Sequence, residues 1–240
     1  VGKYAEQDAA LTLKLWGILK EGLKSENVEK IYELETSLIP ILLEMRWKGV
    51  PVDMDRAEVV SKKLMSEERS ILQRIHKEHG VTPDLWAAKS VAIVFDRAGL
   101  SYPRTPKTNA PSFSGDWLES HDHKLANDIA RARKLNKART TFIDKMVLEH
   151  NVKGRIHGEL HPLRSDRGGT VTGRFSSSNP NLQQVPARHD EIGPLIRSIF
   201  VPEKDMHWGA FDYSQQEPRL TVHYASITEQ EGAADAVDAY

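Results

Sequence analysis

The sequence predicts a mainly α-helical chain with a small α+β part toward its C-terminal end. Three observations carry this reading. Apolar residues recur at three- and four-residue steps through several long stretches. Near Gly154 that pattern gives way to short alternating runs followed by another helical run. A Pro- and turn-rich connector, 101–115, interrupts the helical part.

The elements follow in order. Val1–Lys24 predicts a helix with Leu11, Leu15, Ile18 and Leu19 on one face. Val28–Trp47 predicts a second, with Ile31, Leu34, Leu38, Ile41, Leu42 and Met45 as a stripe expected to be core. Pro40 should kink it and Gly49 ends it. Asp53 or Asp55 caps a long helix that runs to Gly80. Its cations Lys62, Lys63, Arg69, Arg74 and Lys77 are balanced by acids, which suits a solvated face or one turned to phosphates. A shorter helix spans Trp86–Ala98, and a third long one Lys124–His150, striped by Leu125, Ile129, Leu135, Phe142 and Met146. Two long antiparallel helices with a helical tip between them make an upright hairpin. Arg155–Pro162 and Met206–Tyr213 read as strands, and Gln215–Ile227 as a helix that tolerates Pro218 in its first turn. The change of pattern near Gly154 marks the domain boundary.

Composition bounds the function. A chain of 240 residues forms one large domain or two small ones. Charged residues at 28% and hydrophobic ones at 39% suit a soluble globular protein. There is no cysteine, which excludes disulfides and thiolate metal sites. No apolar run approaches the roughly 20 residues of a membrane span, and no signal peptide opens the chain. The net charge of −1 argues against a uniformly basic nucleic-acid binder, but the charge is segregated. Lys124, Arg131, Arg133, Lys134, Lys137, Arg139 and Lys145 face only Asp128 and Asp144 across the last long helix. Lys153, Arg155, Arg164, Arg167, Arg174 and Arg188 face only Glu159 and Asp166 in the next segment. Local patches of this kind, not net charge, set affinity for phosphate. His157 and His161 have no third ligand at metal-binding spacing and read as strand-surface residues.

The most informative stretch is near the end. The apolar run Trp208–Phe211 stops on one carboxylate, Asp212, followed by a polar turn and a helix carrying Glu217 and Arg219. A carboxylate on the end of a rigid element suits a hard metal ion. Asp212-Tyr-Ser-Gln-Gln-Glu-Pro-Arg219 resembles motif A of the family A DNA polymerases, D-Y-S-Q-I/V-E-L-R, departing from it at Gln216 and Pro218. Upstream, Thr172-Gly-Arg-Phe-Ser-Ser-Ser-Asn-Pro-Asn-Leu-Gln-Gln-Val-Pro-Ala-Arg188 resembles the same family's T-G-R-x-S-S-x-x-P-N-L-Q-x-I/V-P segment. The resemblance runs through the chain, weakly before Gly154 and strongly after it. The two departures hint at a divergent, viral or phage-like branch.

The resemblance implies an incomplete polymerase fold. Residues 1–26 would be the last helix of a 3′–5′ exonuclease-like domain, with Tyr4 and Asp8 as a remnant of its Y-x-x-x-D motif. Residues 27–153 would form the thumb and its connecting helices, and 154–240 the start of an antiparallel palm sheet. The implied activity is DNA-directed DNA polymerisation in replication or repair, by two-metal phosphoryl transfer of dNTPs to a primer 3′-hydroxyl. Asp212 would be a catalytic carboxylate and, with the Tyr213 carbonyl, a Mg²⁺ ligand. Glu217 would exclude a ribose 2′-hydroxyl. Arg174, Asn181, Gln183 and Arg188 would contact primer–template DNA, where minor-groove acceptors vary little with sequence. Gly173 would let the backbone approach closely. Arg131, Lys134 and Lys137 would be thumb contacts to phosphate, and Arg197 a further one. No H-D-E triplet follows Asp212 and no fingers K-x-x-x-R helix is found, so the chain by itself is expected not to polymerise. The location implied is cytoplasmic, in a bacterial cell or infected host. Three other readings are a non-catalytic DNA-binding module derived from a polymerase, a single-subunit RNA polymerase relative, which Glu217 opposes, and a stand-alone nuclease, which the missing exonuclease carboxylates oppose.

Overall fold

The computed structural model describes residues 2–165, 168–187 and 189–239. Contacts divide the chain into two compact units, residues 1–201 and 202–240. The chain is mainly α-helical with two small antiparallel sheets. Among the described residues no helix is long and apolar enough to cross a membrane.

The first unit begins with helices α1 (Gly2–Ser25) and α2 (Glu29–Lys48). Trp16 and Tyr32 join them, ring centroids 5.4 Å apart. The expectation that the α2 stripe is core does not hold: Ile31, Leu34, Ile41 and Met45 each stay more than half exposed. Periodicity makes a face apolar, but burial needs a second element to cover it, and none does so among the described residues. Gly49 ends α2 at φ +64°, and a Cβ there would lie 2.7 Å from the His157 ring and 2.9 Å from the Ile156 carbonyl.

The core lies around the hairpin. Helix α3 (Met54–His79) is capped by Asp53, whose carboxylate accepts from the Arg56 amide at 2.9 Å, and closed by Gly80 in the left-handed region. It packs against α6 (Lys124–Lys137). The cross-links show the antiparallel register: Glu78 with Lys124 at 2.7 Å, Arg74 with Asp128 at 2.6 Å, Glu67 with Arg131 at 3.2 Å. Beneath them Leu64, Ile71 and Ile75 meet Leu125, Ile129 and Leu135, all buried. The third long helix is not uniform. Its second half, Ala138–Leu148, is π-helical, so Ala138 and Ile143, five residues apart, are both buried.

The hairpin tip holds α4 (Ala88–Arg97), the connector and α5 (Gly115–Ser120). Phe95 is fully buried there, against the rings of Tyr102, Phe113 and Trp117. At the base, β1 (Val50–Pro51), β2 (Asn151–Val152) and β3 (Arg155–Ile156) form one sheet, with β3 central. The run expected as one strand over Arg155–Pro162 breaks at Gly158, where a Cβ would lie 3.0 Å from the Pro180 carbonyl. β4 (Glu159–His161) then pairs with β5 (Ser176–Ser178). Helix α7 (Ile192–Arg197) buries Ile192 and Ile196 in the same core.

The second unit contains α8 (Gln216–Ile227) and α9 (Ala233–Ala239), which pack together. The strand expected over Met206–Tyr213 does not form. Among the described residues no other strand lies alongside to complete a hydrogen-bond ladder.

Candidate functional site

The residues from Met206 to Tyr213, ahead of α8, form no regular secondary structure and are exposed. Gln215 takes φ +52°, which turns the chain sharply into the helix. Arg219 Nε donates to the Ser214 carbonyl at 3.0 Å and closes that turn. Pro218 falls at the third helical position, where an amide would lack an intrahelical acceptor in any case. Glu217 sits in the first turn, where the helix dipole favours negative charge. Tyr213, Ser214, Gln216, Arg219, Leu220 and His223 line one open pocket. The Asp212 carboxylate is exposed and in no ion pair among the described residues, so a hard-oxygen donor is available to a cation such as Mg²⁺. Among those residues no three His, Asp or Glu converge into a complete metal cluster.

In the first unit the structure gathers Arg174, Asn181 and Gln183 into one tight element. The Asn181 side chain accepts from the Gln183 amide at 3.1 Å and caps the 3₁₀ turn Leu182–Gln184. Gln183 Nε2 donates to the Phe175 carbonyl at 3.2 Å, next to Arg174. Thr170 Oγ1 donates to the Arg174 carbonyl at 2.6 Å. Gly173 has φ +76° and open space where a Cβ would stand, so backbone conformation, not crowding, is what calls for glycine here. Arg174 and Arg197 are exposed. Arg188 lies outside the described residues.

The hairpin cations are not equivalent. Arg131 is held by Glu67 and, at 2.5 Å, by Glu191. The Arg131 hydrogen bond holds the Glu191 carboxyl below its ordinary range. Lys134 pairs with Glu119 at 2.7 Å. Lys137 is exposed and in no ion pair among the described residues. Tyr4 and Asp8 are exposed one helical turn apart on α1.

His157 and His161 have separate partners. His157 Nδ1 lies 2.7 Å from the Arg46 carbonyl, and His161 Nε2 lies 2.7 Å from Ser178 Oγ. Sequence reasoning missed that His157 and Arg155 cap the C-terminus of α2, with Arg155 Nε donating to the Lys48 carbonyl at 2.6 Å. It also passed over His189-Asp-Glu191, an H-D-E triplet ahead of Asp212. That triplet is structural: His189 Nδ1 accepts from the Ile192 amide, and Glu191 is the partner of Arg131.

The family model for DNA polymerase family A matches residues 54–231. The chain is 37% identical over 237 residues to a DNA-directed DNA polymerase of Pseudomonas phage M6, covering 95% of this chain and 35% of that protein. It is 33% identical over 226 residues to the thermostable DNA polymerase I of Thermus thermophilus, covering 91% and 26%. The chain thus spans about a quarter to a third of the length of these relatives. Among solved structures it resembles the POL domain of Pol1 from M. smegmatis in complex with DNA primer-template and dNTP. The TM-score is 0.61 at 27% identity, over 79% of this chain and 35% of that one. The helical hairpin, the ordered motifs around Arg174 and Asp212 and the extent of this match lead to one assignment: the chain belongs to DNA polymerase family A.

Proposed function

We propose that this chain is the part of a DNA-directed DNA polymerase that grips primer–template DNA and supplies a catalytic carboxylate. The whole protein would add dNTPs to a primer 3′-hydroxyl in replication or repair. The observation that carries this is that both motif strings, Thr172–Arg188 and Asp212–Arg219, fall inside the matched region in the family's order. In this reading residues 1–26 close an exonuclease-like domain, 27–153 are thumb and 154–240 begin the palm.

Asp212, with the Tyr213 carbonyl, would hold Mg²⁺. Two such ions, when bound, activate the 3′-oxygen and stabilise the departing pyrophosphate. Asp212 suits this because its carboxylate is exposed and not engaged by a cation among the described residues. Glu217 would occupy the space a ribose 2′-hydroxyl needs, the group that separates RNA from DNA. Arg174, Asn181, Gln183 and Arg188 would read minor-groove shape near the primer end. Of the three hairpin cations Arg131, Lys134 and Lys137, Lys137 is in no ion pair among the described residues and would meet phosphate without first leaving a carboxylate, whereas Arg131 and Lys134 must exchange partners.

The test uses the full-length protein. Asp212→Ala should reduce primer extension to background while primer–template binding persists. Glu217→Ala should keep extension and raise incorporation of ribonucleotides relative to deoxynucleotides. Wild-type extension by the first variant would refute the catalytic assignment. Unchanged sugar selectivity in the second would refute the role of Glu217.

A further inference from the structure

Trp47 stands 88% exposed at the end of α2. Among the described residues no aromatic ring stacks on it and no cation covers its face. Leaving an indole in water forgoes the burial that usually fixes a tryptophan. The backbone beneath it is nonetheless firmly held. The carbonyl before it, of Arg46, meets His157 at 2.7 Å, and the carbonyl after it, of Lys48, accepts from Arg155 at 2.6 Å. The Gly49 amide donates to Met45 at 2.8 Å and completes the helix end. A rigid mount thus presents the ring to solvent.

Apolar side chains lie around the ring, with Lys153 in the same groove and Lys48 next to Trp47 in the chain. Leu43, one turn earlier on α2, and Val152, on β2, are both exposed and line the same open groove as Trp47 and Lys153. Lys48 and Lys153 are exposed and in no ion pair among the described residues. Glu44 also lines the groove, and Arg46 is neutralised by Glu159.

We propose that this face binds single-stranded DNA, one base stacking on Trp47 while the flanking phosphates meet Lys48 and Lys153. A flat aromatic beside free lysines is the combination that holds single strands without reading sequence. The charge selects the occupant: the free lysines suit a phosphate chain. The site extends the polymerase reading but does not depend on the chemistry of Asp212.

The experiment measures binding of a labelled oligo-dT to the full-length protein, with a saturating DNA hairpin occupying the duplex site. The wild-type protein should still bind the oligonucleotide. Trp47→Ala should weaken that binding roughly tenfold, as expected for one lost stacking contact, and Trp47→Phe should restore part of it. A Lys48→Gln, Lys153→Gln double variant should flatten the salt dependence. Circular dichroism checks that each variant is folded, and extension of the hairpin by Trp47→Ala should stay at the wild-type rate. Wild-type oligonucleotide affinity in Trp47→Ala overturns the proposal. So does self-association in sedimentation that Trp47→Ala abolishes, because a second copy would then cover the face. Asp212→Ala should bind the oligonucleotide normally, so failure at Trp47 and failure at Asp212 are read separately.

Discussion

Arg133 shows how a cation can serve as an internal residue of the hairpin. Nε donates to the Leu85 carbonyl at 2.7 Å, and Nη1 donates to the Phe113 carbonyl at 2.6 Å. The guanidinium carbon lies 5.5 Å from the centre of the Trp86 ring. Burial lowers its pKa from the usual guanidinium value, a cost that the two carbonyls and the ring offset. One planar fork therefore ties two loops of the tip to α6, which a lysine point charge cannot do. Arg133→Met keeps much of the volume and removes every donor. It should lower unfolding stability by about 2 kcal/mol in urea titration, with Arg133→Lys in between. A Met variant as stable as the parent would mean that water satisfies both carbonyls. In the sequence Arg133 is indistinguishable from its basic neighbours, because a charge count does not name partners. Asp212 and Glu217 stand out in the sequence for the opposite reason: they belong to an ordered string that resembles a family motif, whatever their contacts.

Among the elements, what was legible follows from where the determining interactions lie. Helix ends are decided within a few residues, so Gly49 and Gly80 could be read directly as stops. The choice between Asp53 and Asp55 was open. The structure settles it, since Asp53 caps α3 while its own amide donates to the Ile199 carbonyl at 2.8 Å. Asp53→Ala should therefore cost about 1 kcal/mol by thermal or urea unfolding, and Asp55→Ala within roughly 0.5 kcal/mol of nothing. Equal effects would mean that the cap is not the relevant interaction. Other features depend on partners distant in sequence. The α2 stripe needed a covering element, and the Met206–Tyr213 run needed a strand beside it. The π-helical stretch after Lys137 keeps ordinary helix-forming residues and betrays itself only in which of them are buried.

At the scale of the molecule, the first unit is held in register by charges laid over an apolar core. The alternating pairs along α3 and α6 admit one antiparallel alignment, because a slip of one turn would set like charges side by side. Arg131 extends that lock beyond the hairpin by bonding Glu67 on α3 and Glu191 just ahead of α7. Arg131 stays protonated throughout, its pKa raised chiefly by Glu191, so the pH response belongs to the carboxylate. The pKa of Glu191 is lowered in the folded state, so its contribution is present above the ordinary glutamate range and is lost as pH falls through the lowered value. The Glu191 side chain is half exposed, and solvent screening keeps the pair near 0.5 kcal/mol, about the size of an ordinary surface ion pair. Urea midpoints of the parent should therefore fall more steeply than those of Glu191→Gln between roughly pH 5 and pH 3, with the two curves converging at the acid end. At neutral pH the variant should be the less stable, and added salt should narrow the gap. Parallel pH profiles would show that the bridge to α7 contributes nothing measurable, leaving the apolar contacts of Ile192, Leu195 and Ile196 to anchor that helix.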